Sequence, residues 1–385
     1  MSLTKVSYSM INGAILNIAD YGAHSTSEPG YSTFNSTTAI QSAIDVAGVG
    51  GSVYIPKGTY LIDGLTVNTN FITIVGVGLG SVLQTTATSN IGIHIASTVP
   101  VEGSVLKDFA LVGTSTNAGG ISLGTASLYA AFTLLDQVLV SYFDKPSTGY
   151  GVLFNSVQEL EIRNCKIQYN YINVYRDSSS GFVTSAKICG KQGYIGRALD
   201  KGVCINGIFA DLTIKDVVIE ENVNEGIYVG AFYGQLILDC CYFENNSTGG
   251  IGTISLVGST ASYSSIKTTI SNCTFHSNAL ITKPNLYLDN VIGAIISGND
   301  GIFSNGGIIT TIHSAAYFCM NKTNDASDPF TLYNALLGQI SYFDYDQNLF
   351  PQLYCRTGII VKTPDGSKQY QISVDNAGAV TSTLL

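Results

Sequence analysis

The amino-acid sequence predicts an all-β fold: a parallel β-helix with a short capping helix at its N-terminal end and a small β-hairpin region at its C-terminal end. Three observations carry this. One phrase recurs along the chain, its internal alternation is that of short strands, and helix formers are scarce. The phrase reads Leu160-Glu-Ile162-Arg-Asn164-Cys165-Lys-Ile167. It returns as Leu212-Thr-Ile214-Lys-Asp216-Val217-Val-Ile219, as Leu236-Ile-Leu238-Asp-Cys240-Cys241-Tyr-Phe243 and as Thr268-Thr-Ile270-Ser-Asn272-Cys273-Thr-Phe275. A looser copy ends at Ile302, and Asp108 before Leu111 and Asp136 before Leu139 fit the same frame. Asn170, Asn222, Asn246, Asn278 and Asn305 close successive copies.

The anchors Leu111, Leu139, Ile167, Ile219, Phe243, Phe275 and Ile302 lie 24 to 32 residues apart, except for one gap of 52 that Ile188 can fill. A repeat of this length marks a stacked architecture whose units bury their apolar faces only against neighbours. Within the phrase, alternation of period two skips one residue at Asn or Asp and then resumes. That is two short strands joined by a tight bend, since Asn and Asp tolerate left-handed backbone. The column Asp108, Asp136, Asn164, Asp216, Asn272 and Asn299 is therefore expected to be a ladder of bends. A further strand, such as Gly226 to Gly230 or Asn285 to Asp289, precedes each phrase and gives three strands per turn.

Composition agrees. The 385 residues include 41 Gly and no Trp, and only 12% are charged, which suits short strands and turns. A net charge of -9 argues against a nucleic-acid groove, which needs clustered Lys and Arg. No stretch is long and apolar enough to span a membrane, and no secretory signal is evident at the N-terminus. The eight cysteines lack metal-ligand spacing. Cys165, Cys241 and Cys273 share one inward position and are read as free core thiols.

In chain order, residues 1–18 form a lead-in, 19–314 the capped β-helix, and 315–385 a C-terminal cap and trimerisation hairpin. Thr38-Ala-Ile-Gln-Ser-Ala-Ile-Asp-Val-Ala47 has an apolar stripe of Ile40, Ile44 and Ala47, and Thr38 with Gln41 offers a capping box. The expected role is a plug over the open end of the stack, where core and strand edges are otherwise exposed. Near the other end, Asn321 to Pro329 reads as a loop, and Tyr342 to Asp346 with Phe350 as an aromatic cap. Thr363-Pro-Asp-Gly366 is a turn between two alternating strands.

The run Ala19-Asp-Tyr-Gly-Ala23, Thr38 to Ile44, Gly50-Gly-Ser-Val-Tyr-Ile-Pro-Lys-Gly-Thr-Tyr60 and Ile74 to Ser81 resembles the opening of the pectate-lyase-like superfamily of right-handed β-helices. It departs where an acidic segment usually follows Tyr-Gly-Ala; here His24 to Thr37 is rich in Ser and Thr. The lead-in Lys5-Val-Ser-Tyr-Ser-Met-Ile-Asn-Gly13 and the terminal segment Gly358 to Gly378 are similar to those of bacteriophage and prophage tailspikes. This resemblance implies a right-handed parallel β-helix and a homotrimer that binds, and often cleaves, bacterial surface polysaccharide. It also implies a place in the virion tail, assembled in the host cytoplasm or encoded by a prophage, with a tail or baseplate protein meeting the N-terminus.

No linear motif settles catalysis, and none calls for a cofactor or a metal. The repeat offers a better guide, because residues of one column stack about 4.8 Å apart. One step past the anchors, Gln168, Glu220, Glu244 and His276 point outward. Glu220 and Glu244 are the candidate acid and base or nucleophile of a glycosidase. Tyr242 and His276 are expected to flank the sugar, and Asp239 is a reserve carboxylate. The plainer readings of this column are a solvated face or a trimer contact. Tyr175, Tyr228 and Tyr287 form a candidate column for stacking on sugar rings, although some alignment among 23 tyrosines arises by chance. Glu159, Glu161 and Arg163, with Asp211 and Lys215, read as surface ion pairing. A polysaccharide lyase is the alternative chemistry, disfavoured by a negative chain with four Arg. A non-catalytic glycan-binding adhesin is the alternative outside enzymology.

Overall fold

The computed structural model describes residues 15–86, 91–177, 181–230, 234–258, 267–276 and 283–302. Beyond these it describes the strands Ile308–Thr310, Ala315–Cys319, Leu332–Asn334, Ile359–Lys362, Gln369–Val374 and Val380–Leu384. The chain folds as a right-handed parallel β-solenoid of three faces. The first face stacks Thr73–Val75, Val105–Lys107, Leu134–Asp136, Leu160–Arg163 and their successors. The second stacks Ser81–Thr85, Ala110–Val112, Leu139–Ser141, Lys166–Gln168 and onward to Thr274–His276. The third is an eleven-stranded sheet running from Leu65–Val67 to Leu332–Asn334. The ladder begins at Ile15–Asn17, inside the expected lead-in, and continues past residue 314.

Every coil contributes to continuous apolar columns. Leu106, Leu135, Ile162, Ile188, Ile214, Leu238, Ile270 and Ile296 lie in register inside the first face, all buried. Inside the second face the column is Leu111, Val140, Ile167, Ile195, Ile219, Phe243 and Phe275. The anchor of the long gap is therefore Ile195, and Ile188 belongs to the strand before the bend. Val140, rather than its neighbour Leu139, faces the core column. The cause of the gap is a bulge. Gly190 to Gln192, three residues, face the single Asp216 between Cys189 and Gly193. Gly190 has φ 110°, and a Cβ there would fall 2.2 Å from the Asn164 side-chain oxygen.

The first bend is a left-handed column, as the Asx pattern implied, but its members differ by single steps. Asp108, Gln137, Asn164, Gly190, Asp216, Cys240, Asn272 and Gly298 have positive φ. Asp136 instead ends a strand, and Asn299 turns inward, accepting from the Cys273 amide at 2.9 Å and donating to the Ile270 carbonyl at 2.9 Å. A second left-handed column follows the second face at Tyr142, Tyr169, Arg197, Glu221 and Asn245.

The asparagines that close the phrases turn inward at this second bend. Asn170, Asn222 and Asn246 are at most 1% exposed. Asn222 donates to Asn246 Oδ1 at 2.8 Å, and its own Oδ1 accepts from the Ala198 amide at 3.1 Å. Asn246 donates to the Ile219 carbonyl at 2.7 Å, and Asn170 to the Val140 carbonyl at 3.2 Å. An amide carries both donor and acceptor, so identical residues satisfy each other up the stack and close the backbone groups that the bend frees.

The helix Thr37–Ala47 buries Ile40, Ala43 and Ile44 and packs on the first coil, against Ile18–Tyr21, Ser52–Tyr54 and Leu65–Val67. It plugs the stack as expected. The capping box is not formed: Asn35 accepts the Thr37 amide at 2.9 Å, and Gln41 clamps Thr66 through its amide and carbonyl. Cys165, Cys241 and Cys273 are buried free thiols. The C-terminal strands Ile359–Lys362, Gln369–Val374 and Val380–Leu384 form an antiparallel three-stranded sheet, a hairpin with one strand added. The expected loop 321–329 and the aromatic cap 342–350 lie outside the described residues.

Replacing Asn222 by Ala should cost about 1–3 kcal/mol, because the buried Ala198 amide and the Asn173 and Asn246 side-chain amides lose their partner. Chemical denaturation would measure it, and a loss below about 0.5 kcal/mol would show that the ladder is not holding the bend.

Candidate functional site

The second face positions the candidate carboxylates through backbone pairing alone. Ser141, Gln168, Gly196, Glu220, Glu244 and His276 are consecutive partners, outward neighbours of the buried anchor column. Glu220 and Glu244 thus sit on adjacent coils with their backbones about 4.8 Å apart. Tyr242 lies two residues before Glu244 on the same outward face and donates its hydroxyl to Glu244 at 3.0 Å. Burial and that carboxylate push the Tyr242 phenol up to about 12.

A second phenol serves Glu220, and the sequence reading did not single it out. Tyr194 pairs with Val218, and burial together with the Glu220 charge and hydrogen bond raises its pKa. Its ring leans over Gly196, where a Cβ would lie 2.5 Å from the Tyr194 hydroxyl. Glycine at 196 is therefore what lets a tyrosine reach the glutamate one coil on. Glu244 thus has a phenol donor in Tyr242, while Tyr194 lies near enough to Glu220 for that charge to raise its pKa.

At the bend beyond this column stands a feature that sequence reasoning missed. Tyr142 and Tyr169 stack in parallel with ring centroids 5.1 Å apart. The Arg197 guanidinium lies 5.4 Å from the Tyr169 centroid and donates to the Tyr169 hydroxyl. Its Nε donates to Glu221 Oε2 at 2.6 Å. Tyr142 is 47% exposed, so the platform faces solvent beside the glutamates. The usable signal was position: all four follow their anchors by two residues, at the left-handed step.

The structure brings Glu220, Glu244, Tyr242 and His276 together and leaves Asp239 on the first face, across the bend. There Asp239 accepts from Lys215 at 2.8 Å, Ser271 at 3.0 Å and Asn272 at 3.0 Å. Chiefly the Lys215 ammonium holds its carboxyl down at about 2, so it rests as a bound anion. Tyr175, Tyr228 and Tyr287 do share a column, on the third face, but on alternate coils, with Cys204 and Ser255 between them. Each phenol is raised mainly by partial burial.

The mixed cluster of the first face is ion-paired, with partners different from those its sequence neighbours suggest. Arg163 grips Asp136 of the previous coil at 3.1 and 2.9 Å, and Lys187 lies 3.8 Å from Glu161. Asp211 stands apart: its Oδ1 is buried without a hydrogen bond, and burial raises its pKa. Glu159 and Glu161 line a cleft of about 330 Å³ with Phe132 and Lys187.

The three-faced parallel β-helix is the fold that the sequence resemblance implied. Residues 15–291 match the family described as rhamnogalacturonase A/epimerase, pectate lyase-like, and the chain belongs to that family. No curated protein matches the sequence significantly. Among solved structures, the chain is similar to the gp42 tailspike of Acinetobacter phage vb_AbaP_AS12, with TM-score 0.60 and 12% identity over 97% of this chain and 80% of that one. It is similar to ORF18 of Geobacillus virus E2, with TM-score 0.56 and 15% identity over 96% and 76%. The Dettilon tailspike gp208 gives TM-score 0.56 and 12% identity over 83% and 68%. At these identities the likeness is one of fold.

Because the Asp239 value lies below the ordinary carboxylate value, its pairing stabilises the fold fully above about pH 4 and is lost as pH falls toward 2. The gap in unfolding temperature between wild type and Asp239→Asn should therefore close over that window. A gap unchanged down to pH 2 would contradict the pairing.

Proposed function

We propose that the chain is a tailspike-type protein that binds bacterial surface polysaccharide and cleaves it by glycoside hydrolysis, with Glu220 and Glu244 as the reacting carboxylates. The observation that carries this is the in-register pair, one carboxylate per coil, with Tyr242 donating to Glu244 and Tyr194 beside Glu220. Like charges stacked in one column repel, and among the described residues neither glutamate forms an ion pair. The fold shared with phage tailspikes supports the substrate class.

In this reading one carboxyl protonates the glycosidic oxygen while the other attacks the anomeric carbon. Water then releases the sugar, with the first group acting as base. Backbone spacing near 4.8 Å suits the carboxyl separation of about 5–5.5 Å that a retaining mechanism needs. Tyr242 and His276 flank the reacting sugar, and the Tyr142–Tyr169 stack with Arg197 offers a platform for the next ring. Tyr175, Tyr228 and Tyr287 would serve a more distant part of the glycan.

Glu220→Gln and Glu244→Gln, made separately, should each lower turnover by about 10²–10⁴-fold while glycan binding persists. Reducing-end release from a host polysaccharide is the readout. Full activity in both variants sinks the assignment. Ultraviolet absorbance from an unsaturated product identifies a lyase instead, and binding without product identifies an adhesin.

The proposed assembly is a homotrimer acting at the virion tail, with residues 1–14, which are not among those described, meeting a tail or baseplate protein. Exposed apolar residues support self-association: Phe71, Phe132, Phe182 and Ile208 are each more than half exposed. Light scattering should give about three times the 40.7 kDa chain mass. A stable monomer at micromolar concentration contradicts it.

A further inference from the structure

A cleft of about 590 Å³ lies around the second bend from the glutamate pair and spans the same coils. Lys201, Asn224, Glu225, Gly250 and Lys283 line it. Glu225 is 3% exposed. Its Oε1 accepts the Ile251 amide at 3.0 Å, while its Oε2 has no hydrogen bond and lies 3.6 Å from Lys201 Nζ. Lys201 itself donates to Asp200 at 2.8 Å and rests over the Tyr228 ring at 5.6 Å. Ser247, fully buried, also has a hydroxyl without a partner. Gly250 lies against both residues: a Cβ there would lie 2.8 Å from Glu225 Oε1, the hydrogen-bonded oxygen, and 2.9 Å from Ser247 Oγ.

A buried carboxylate oxygen left open costs free energy unless a donor arrives to meet it. Lys201 is neutralised by Asp200 behind it, and Lys283 and Glu225 balance within the lining, so neither a polyanion nor a cation is favoured. A glycine floor admits close approach, and the volume falls in the range of small-molecule sites, about 300–1,000 Å³. We propose that this cleft is a second carbohydrate subsite, taking one neutral sugar ring, a hexose or N-acetylhexosamine. A hydroxyl or amide N–H of the ring donates to Glu225 Oε2, and ring oxygens accept from Lys201 and Lys283. The proposal rests on the carbohydrate-binding reading above and extends it: a glycan engaged at Glu220 and Glu244 reaches the cleft by crossing the bend past Arg197 and Glu221.

Saturation-transfer NMR on the full chain, with glucose, galactose, N-acetylglucosamine and N-acetylgalactosamine as separate probes, tests this. At least one probe should receive saturation from wild type and equally from the Glu220→Gln/Glu244→Gln double variant. Glu225→Gln should weaken that contact at least ten-fold, as should Lys283→Glu. Lys283 is at the rim, so its variant reads the site even if Glu225→Gln fails to fold. The proposal is overturned if no probe contacts wild type, if the contact disappears in the double variant, or if it survives in both cleft variants. Failure of the hydrolase assignment would leave the cleft result unchanged, which keeps the two distinguishable.

Discussion

The inter-coil backbone ladder is the constraint on which everything else depends. Each strand pairs in parallel with its counterpart one coil away, so every side chain has a fixed neighbour above and below at about 4.8 Å. A column must therefore tolerate near-identity. Aliphatic and aromatic groups do this readily, as the Phe243–Phe275 stack at 4.9 Å shows. Buried polar groups manage it only if they are self-complementary, which is why amides occupy the inner corner at Asn170, Asn222 and Asn246. Charges do it by alternation. On the first face Lys107, Asp136 and Arg163 succeed one another, and Lys215 precedes Asp239. Against that rule, two glutamates in succession stand out.

The sequence made the repeat legible because the apolar columns and the inward asparagines recur at fixed steps. What it hid were slips of one residue. Leu139 and Val140 are both apolar, and Asp136 stands beside Gln137, so residue type could not say which member faced inward or took the left-handed step. In Val183–Gly196 the bulge at Gly190 breaks the spacing, and an apolar residue on either side of it satisfies a hydrophobic pattern. Only pairing across coils resolves Ile188 from Ile195.

Of the candidate site, the stacked glutamates with Tyr242 and His276 were readable, since they sit one step from an anchor. The partners that shape the site were not. Tyr194 reaches Glu220 because residue 196 is glycine, a contact between coils that no local pattern encodes. Tyr142, Tyr169 and Arg197 occupy the left-handed step, where Asn or Gly carries less strain; a non-glycine residue there costs roughly 1–2 kcal/mol. Asp239 looked like a free carboxylate because its ligands Lys215, Ser271 and Asn272 come from other coils.

That strain argues about the site as well as the fold. Local preference would place small residues along the second bend, and Asn245 follows it, yet the chain spends bulky side chains at Tyr142, Tyr169 and Arg197. They do not repay the cost by burial, since Tyr142 and Arg197 are both over 40% exposed. The ladder beneath them is rigid, so their spacing is set by backbone pairing and does not depend on mobile loops. A carbohydrate chain also offers rings at near-regular intervals, with apolar faces and hydroxyl edges. A stiff surface carrying aromatic faces, a guanidinium and paired carboxylates at a fixed repeat matches such a ligand without ordering it anew at each contact. The same rigidity sets the separation of Glu220 and Glu244, which is inherited from the hydrogen-bond ladder, with the Glu244 carboxylate held further by the Tyr242 hydroxyl.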